Sequence, residues 1–345
     1  MPAIYPHRVF ISYSHEDRDK VERVAELLEN IGLRPIWDKN LLPGVPFGEQ
    51  IKNGIAYAHV FMPIVTASAI GRPWVHQEIG YAMGLDVPIL PLAVGELPPG
   101  MTQEIQALSV DKELTDLEER LTVRVFEHLV TLARRESHAR FSCADQPEMR
   151  TQMLVDFARR VLDLGAHGRV RESASLSSFC IPDRHVEHPI WDTRQGPLAQ
   201  GPALRRSLRE QRRVLQEHAT SAGCDLIINL AYAHEKHGQD ARKARLQTLI
   251  EFLESMTDEQ VRVAVKQKSQ PHNLLIVGDW FMAESVAPGS GAGWLQTVLT
   301  SHAPTVLDRL SQFDEEFEDL LREAGHAGVS SRVAAIASLK QELSG

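Results

Sequence analysis

Short apolar runs alternate with amphipathic stretches along the first third of the chain. Val9-Phe10-Ile11-Ser12-Tyr13 is apolar apart from one serine and predicts a buried strand. Ser14, followed three positions later by Asp17, predicts a capping-box start to the next helix. That helix carries Val21, Val24, Leu27, Leu28 and Ile31 on one stripe and closes at Gly32. Leu33 to Trp37 predicts a second strand, and Asp38 to Pro46 a long loop with turn chemistry at Pro43-Gly44. A helix around Gly48 to Tyr57, an apolar strand from Ala58 to Thr66, a helix from Pro73 to Gly84 and a strand within Val87 to Val94 follow. Strands separated by helices of this length imply an α/β fold with a parallel, doubly wound sheet.

In such a sheet the strand-to-helix junctions open on one edge, where ligands bind. The junctions after Tyr13, Trp37 and Val65 therefore bring Ser12, Tyr13, Trp37, Asp38, Trp74 and Glu78 together, with Phe10 in the strand beneath. Trp74 and Glu78 are four apart and share a helix face. The expected pocket has aromatic walls, hydroxyls and one or two carboxylates. It carries no Gly-x-Gly-x-x-Gly loop, no nucleophile-and-base pair and no metal cluster, so neither a cofactor nor a metal is expected.

Composition narrows the partners. The chain has 345 residues, 43% hydrophobic content and a net charge of −9, enough for two cores and a poor match to a polyanion. The basic run Arg205 to Arg213 is broken by acids and apolar residues and reads as a solvated helix face, so nucleic acid is not expected as the main partner. No apolar run is long enough to span a membrane, and the amino terminus lacks the order of a signal peptide. Three cysteines, Cys143, Cys180 and Cys224, lack metal spacing and are expected as buried thiols in a reducing, cytoplasmic compartment.

RVFISYSHEDRD, the Pro-Gly loop after a Trp-Asp strand end, and the Trp-x-x-x-Glu helix occur in that order. Together they resemble the TIR (Toll/interleukin-1 receptor/resistance) domain in its bacterial form, over about residues 6 to 138. The resemblance implies a flavodoxin-like fold, a so-called BB loop at Asp38 to Gly48, and cleavage of NAD, as substrate, at the nicotinamide-ribose bond. It makes Glu78 the catalytic residue and Trp74 its tryptophan partner, with Phe10, Ser12, Tyr13, Trp37 and Asp38 around the substrate. A positively charged ring leaves as neutral nicotinamide, so one carboxylate facing the developing oxocarbenium ion suffices without a general acid. Leu41, Leu42, Pro43, Gly44 and Phe47 form an apolar loop expected to mediate self-association, as a dimer or filament.

From Ala139 the composition shifts, and FSCADQPEMR reads as a linker between a domain of residues 1–138 and one of 139–345. Helices are predicted near Glu148 to Leu164, Leu204 to Ala222, Arg242 to Met256 and Thr305 to Ala324, around a long loop from His185 to Pro202. Strands are predicted at Cys224 to Leu230, Val261 to Val265, Asn273 to Val286 and Trp294 to Thr300, with a turn at Pro288 to Gly291. His272-x-Leu274-x4-Asp279 resembles the His-x-Lys-x4-Asp motif of the phospholipase D superfamily, with leucine in place of lysine. The resemblance implies a degenerate, non-hydrolytic α/β domain that pairs with itself or senses a trigger. An unrelated α/β domain with a chance histidine and aspartate is the alternative.

The function expected is a TIR-domain NAD glycohydrolase, activated through the second domain, in bacterial anti-phage defence. The alternative is a non-catalytic TIR scaffold acting through TIR-to-TIR contacts.

Overall fold

The computed structural model describes residues 7–37, 47–66, 69, 73–95, 107–133, 141–182, 202–230, 239–266, 273–286, 296–325 and 330–344. The chain divides into two units, one mainly Met1–Arg140 with Asp163–Gly165 and Ser301–Pro304, the other comprising the rest from Phe141.

In the first unit β1 (Arg8–Ser12), β2 (Arg34–Ile36), β3 (Val60–Val65), β4 (Leu92–Val94) and β5 (Leu108–Val110) form a parallel sheet of order β2-β1-β3-β4-β5. This is the doubly wound order expected from the alternation of elements. Val9 and Ile11 point into a core with Val60, Met62 and Ile64, covered by Val21, Val24 and Leu28 of α1 (Arg18–Asn30). Phe10 points the other way, stacks near Phe61 with ring centroids 6.1 Å apart, and lies under α2 (Phe47–Tyr57). A Cβ at Gly54 of α2 would come within 2.3 Å of the Phe10 ring, so only glycine lets helix and strand approach this closely.

The capping box expected at Ser14 does not form. Ser14 makes no side-chain cap bond, and a 3-10 turn (His15–Asp17) precedes α1. Asp17 is buried, and its carboxylate accepts from Thr66 Oγ1 at 2.6 Å and Lys20 Nζ at 2.8 Å. The acid therefore ties the end of β1 to the end of β3 instead of capping a helix.

The second unit holds a seven-stranded mixed sheet of order β6-β12-β11-β10-β7-β8-β9. Its strands are β6 (Phe141–Ala144), β7 (Val170–Ala174), β8 (Cys224–Asn229), β9 (Val261–Lys266), β10 (Asn273–Val277), β11 (Phe281–Val286) and β12 (Gln296–Thr300). The stretch read as a linker is in part β6, an edge strand paired antiparallel with β12, whose exposed Phe141 and Cys143 hid the strand pattern. Cys143 is thus exposed rather than buried; Cys180 and Cys224 are buried, and all three are free. The predicted run from Asn273 to Val286 is a hairpin, β10 and β11, turned at Gly278, whose φ is +53°. The loop from His185 and the turn at Pro288 lie outside the described residues.

β7 carries charge into the sheet. Arg171 pairs bidentately with Asp314 at 2.6 and 3.1 Å. Asp225 of β8, fully buried, accepts two bonds of 2.7 Å from Arg169 and one of 2.8 Å from Arg262. Burial opposes its charge, yet these two arginines outweigh it and hold the carboxyl below the ordinary aspartate range. Gly223, at φ +84°, lets Arg169 pass, since a Cβ there would meet Arg169 at 2.2 Å and the Gln260 carbonyl at 2.8 Å.

Asp225→Asn keeps this shape but leaves Arg169 and Arg262 facing a neutral amide. Both guanidiniums retain some solvent access, 25% and 38%. The expected loss is about 3 kcal/mol, the low end for a broken buried ion pair. Urea unfolding of the full chain measures it; an unchanged midpoint would show that the triad contributes nothing net.

Candidate active site

The helix α3 (Pro73–Gly84) places Glu78 on its buried stripe, between Val75, Ile79 and Ala82 at helical spacing. Glu78 is 9% exposed. This decides between the two readings of a helical glutamate, because a solvated surface carboxylate would stand on the opposite face with Gln77 and Tyr81. The helix packs on β3 and on α2. Its inner face meets the side of the sheet to which Phe10 and Ser12 point.

Ser12, the last residue of β1, is buried at 3% exposure and pairs in register with Pro63 of β3. Its hydroxyl stands beside the Glu78 carboxyl and weakly favours the charged form, but burial dominates and pushes the Glu78 pKa up to about 7. Among the described residues neither Ser12 Oγ nor Glu78 Oε2 completes a hydrogen bond of good geometry. A buried carboxyl with an unsatisfied oxygen, at the carboxyl edge of a parallel sheet, is costly to the fold and is the kind of group found where function demands it.

The other expected site residues separate into groups. Tyr13 and Trp37 are both buried and belong to the core cluster with Val9, Ile11 and α1, their rings 6.2 Å apart and inclined at 62°. Arg18 lies over Trp37 at 5.9 Å. The structure thus places these two aromatics on the α1 side of the sheet, while Ser12 and Glu78 meet on the other. Alternation along β1 is the reason, since consecutive side chains point to opposite faces. Phe10 is on the Glu78 side but is covered by α2 at Gly54. Trp74 lies in the first turn of α3, and its side chain is outside the described residues, as are Asp38, Leu41, Leu42, Pro43, Gly44 and the Phe47 side chain.

In the second unit Leu274 is buried in β10 and Asp279 is buried in the hairpin turn, while His272 lies outside the described residues. Sequence reasoning missed Arg171 and Glu172, because β7 (VRESA) breaks the apolar pattern of a central strand. A pair of charges inside a five-residue run between two apolar elements is the signal that would have exposed it.

The raised pKa of Glu78 has a consequence for stability. An unfolded glutamate titrates near 4.5 and the folded one near 7, so between these values the folded chain holds a proton the unfolded chain has lost. Stability from this group therefore falls as pH rises through that window, by up to about 3 kcal/mol, and is flat above it. Glu78→Gln removes the ionisation and is expected to stabilise the full chain at about pH 8, with the gain vanishing near pH 4. Thermal unfolding at both pH values checks this; a variant less stable than wild type at the higher pH contradicts the burial of an ionised carboxylate.

Comparison with known proteins bears on the first unit. Residues 9–123 match the family model described as TIR domain. Among solved structures, the TIR domain of the Toll-related receptor TRR-2 from Hydra magnipapillata aligns at 21% identity and TM-score 0.30, over 35% of this chain and 96% of that one. The TIR domains of the activated Roq1 resistosome, which directly recognizes the pathogen effector XopQ, align at 17% identity and TM-score 0.26, over 38% and 86%. The archaeal chromatin protein TrmBL2 aligns at 10% identity and TM-score 0.33, over 60% of this chain and 64% of that one, so the chain spans less than two thirds of its length. No curated protein matches the sequence. Residues 9–123 of this chain form a TIR domain.

Proposed function

We infer that the TIR domain is an NAD glycohydrolase with Glu78 as its catalytic carboxylate. The observation that carries this is the burial of Glu78 beside Ser12 with one carboxyl oxygen that no described residue satisfies. When the C–N glycosidic bond of NAD breaks, its electron pair passes to the pyridinium nitrogen and nicotinamide leaves neutral. The positive charge moves to the ribose, where a carboxylate in a dry site stabilises it until water adds and loses a proton. Ionised Glu78 is the form that stabilises a cation, so activity should rise with pH through about 7. Binding of the cationic ring lowers that raised value.

A scaffold role is the second reading. Tyr81 and Met83, exposed at 37% and 43% on α3, favour a contact surface. The apolar loop bearing Leu41, Leu42 and Phe47 supplies another in the sequence. The two readings combine if self-association completes the site. We read residues 139–345 as a degenerate phospholipase D-like domain that sets assembly, on the sequence likeness of His272-x-Leu274-x4-Asp279 to that family's motif. The place of the whole protein would then be bacterial anti-phage defence.

Incubation of the full chain with NAD, followed by chromatography for nicotinamide, tests the enzyme. Glu78→Gln should release nicotinamide at least ~100-fold more slowly, with the pH dependence flattened. Release by this variant at the wild-type rate ends the assignment and leaves the scaffold. Phe47→Arg is expected to lower both sedimentation size and turnover; turnover independent of protein concentration and unaffected by this change would mean the site is complete in one chain.

A further inference from the structure

The second unit contains a cavity of about 300 Å³ on one face of its sheet, at the lower end of the range for small-molecule sites. Its floor is the alternate-residue set Glu172, Asn273, Leu275, Ala283, Ser285 and Thr297, which strand pairing brings side by side on β7, β10, β11 and β12. Its walls come from three helices. These are the helix Pro147–Asp163 with Arg150, the helix Pro202–Ala222 with Gln211, and the helix Gln239–Ser255 with Arg245.

The polar groups of this cavity are unevenly satisfied. Glu172 is fully engaged, accepting from Ser177 Oγ, from the Ser178 amide at 2.9 Å and from Ser178 Oγ at 2.6 Å. Its carboxylate is thus spoken for by the turn that follows β7. Arg150 faces it, and among the described residues no hydrogen bond reaches the buried Arg150 Nε. Gln211, only 3% exposed, donates to Ser178 Oγ at 2.8 Å while its Oε1 accepts nothing among the described residues. Ser175 Oγ is likewise buried and unsatisfied. Arg245 donates Nε to Cys180 Sγ at 3.0 Å and brings a second positive charge. A guanidinium N–H, an amide oxygen and a hydroxyl on the lining of one cavity, each without a hydrogen-bond partner among the described residues, form a set of groups that can take a ligand, because buried polar groups are otherwise paired.

We propose that this cavity binds a small organic monoanion, a carboxylate or phosphodiester, that also carries hydroxyl donors. Two arginines against one engaged glutamate leave a single positive charge, which selects one negative charge in the ligand. Arg150 takes the anion, Gln211 Oε1 accepts from a ligand hydroxyl, and Ser175 serves either. The leucines and isoleucine of the walls, Leu154, Leu204, Leu208 and Ile181, cover the apolar part of the ligand. The site is independent of Glu78 and of whether the first unit cleaves NAD.

Calorimetric titration of the full-length protein with glucuronate, a hydroxylated carboxylate, and with a cyclic nucleoside monophosphate, a phosphodiester, distinguishes the two sources of the anion. Glucose and adenosine serve as their neutral counterparts. At least one anion is expected to bind and its neutral counterpart to bind about tenfold more weakly or not at all. Arg150→Met should weaken the binding anion by about tenfold or more. Gln211→Met should weaken binding by about fivefold while keeping the preference for the anion. Absence of heat from both anions at millimolar concentration overturns the proposal. So does equal binding of anion and neutral counterpart, or wild-type affinity in both variants. A lowered melting temperature in Arg150→Met together with unweakened anion binding in Gln211→Met makes these groups structural, and likewise overturns it.

Discussion

The burial of one carboxyl group on the inner stripe of a helix governs the first unit. An amphipathic helix docks on a sheet by its apolar face, and α3 does so with Val75, Ile79 and Ala82. Glu78 stands in that same stripe, where a leucine would contribute more to folding. Desolvation raises its pKa to about 7, so near neutral pH the group sits between its two charge states. The surrounding structure holds it there by independent means. Gly54 lets α2 close over Phe10, Asp17 ties β1 to β3 through Thr66, and the apolar core on the far face anchors the strands. A carboxyl so placed responds strongly to a nearby positive charge, because little water screens it.

The second unit handles buried charge differently. Whereas Glu78 Oε2 has no partner among the described residues, Asp225 is surrounded by two arginines and Arg171 is matched bidentately by Asp314. The Asp225 triad links β8 to β9 and to the residue just before β7, and the Arg171 pair ties the sheet to the helix Ala303–Ala324. On the opposite face of the sheet Arg150 Nε, Gln211 Oε1 and Ser175 Oγ have no partner among the described residues, and their shared cavity separates a site from a scaffold within a single sheet. Two faces of β7 thus have two uses: Arg171 binds the sheet to a helix, and Glu172 organises the cavity floor.

Much of the first unit was legible because its strands are short apolar runs bounded by helix and turn residues. The parallel, doubly wound sheet and an edge shared by Ser12 and Glu78 were expected from that pattern. The wall of aromatics did not, because alternation along β1 puts Tyr13 on the other face from Ser12, and Trp37 joins Tyr13 there. A strand-end neighbourhood read from topology ignores which face each side chain takes. The second unit was less legible. Its inner strand, VRESA, carries two charges, Arg171 with a partner 143 residues away and Glu172 held by the turn that follows, and its edge strand, FSCA, exposes the residues that would otherwise mark it. Helices such as Gln239–Ser255 were readable because Leu246, Leu249, Ile250 and Leu253 keep helical spacing and are all buried.

Direct titration of Glu78 tests the central physical claim. Carbon NMR of the full chain labelled at glutamate side-chain carboxyls, compared with Glu78→Gln, isolates its resonance across pH. The expected midpoint is about 7, moving downward when a non-cleavable NAD analogue with a cationic ring is added. A midpoint near 4.5 that the analogue does not move would contradict both the burial of this carboxyl and its role at the ring.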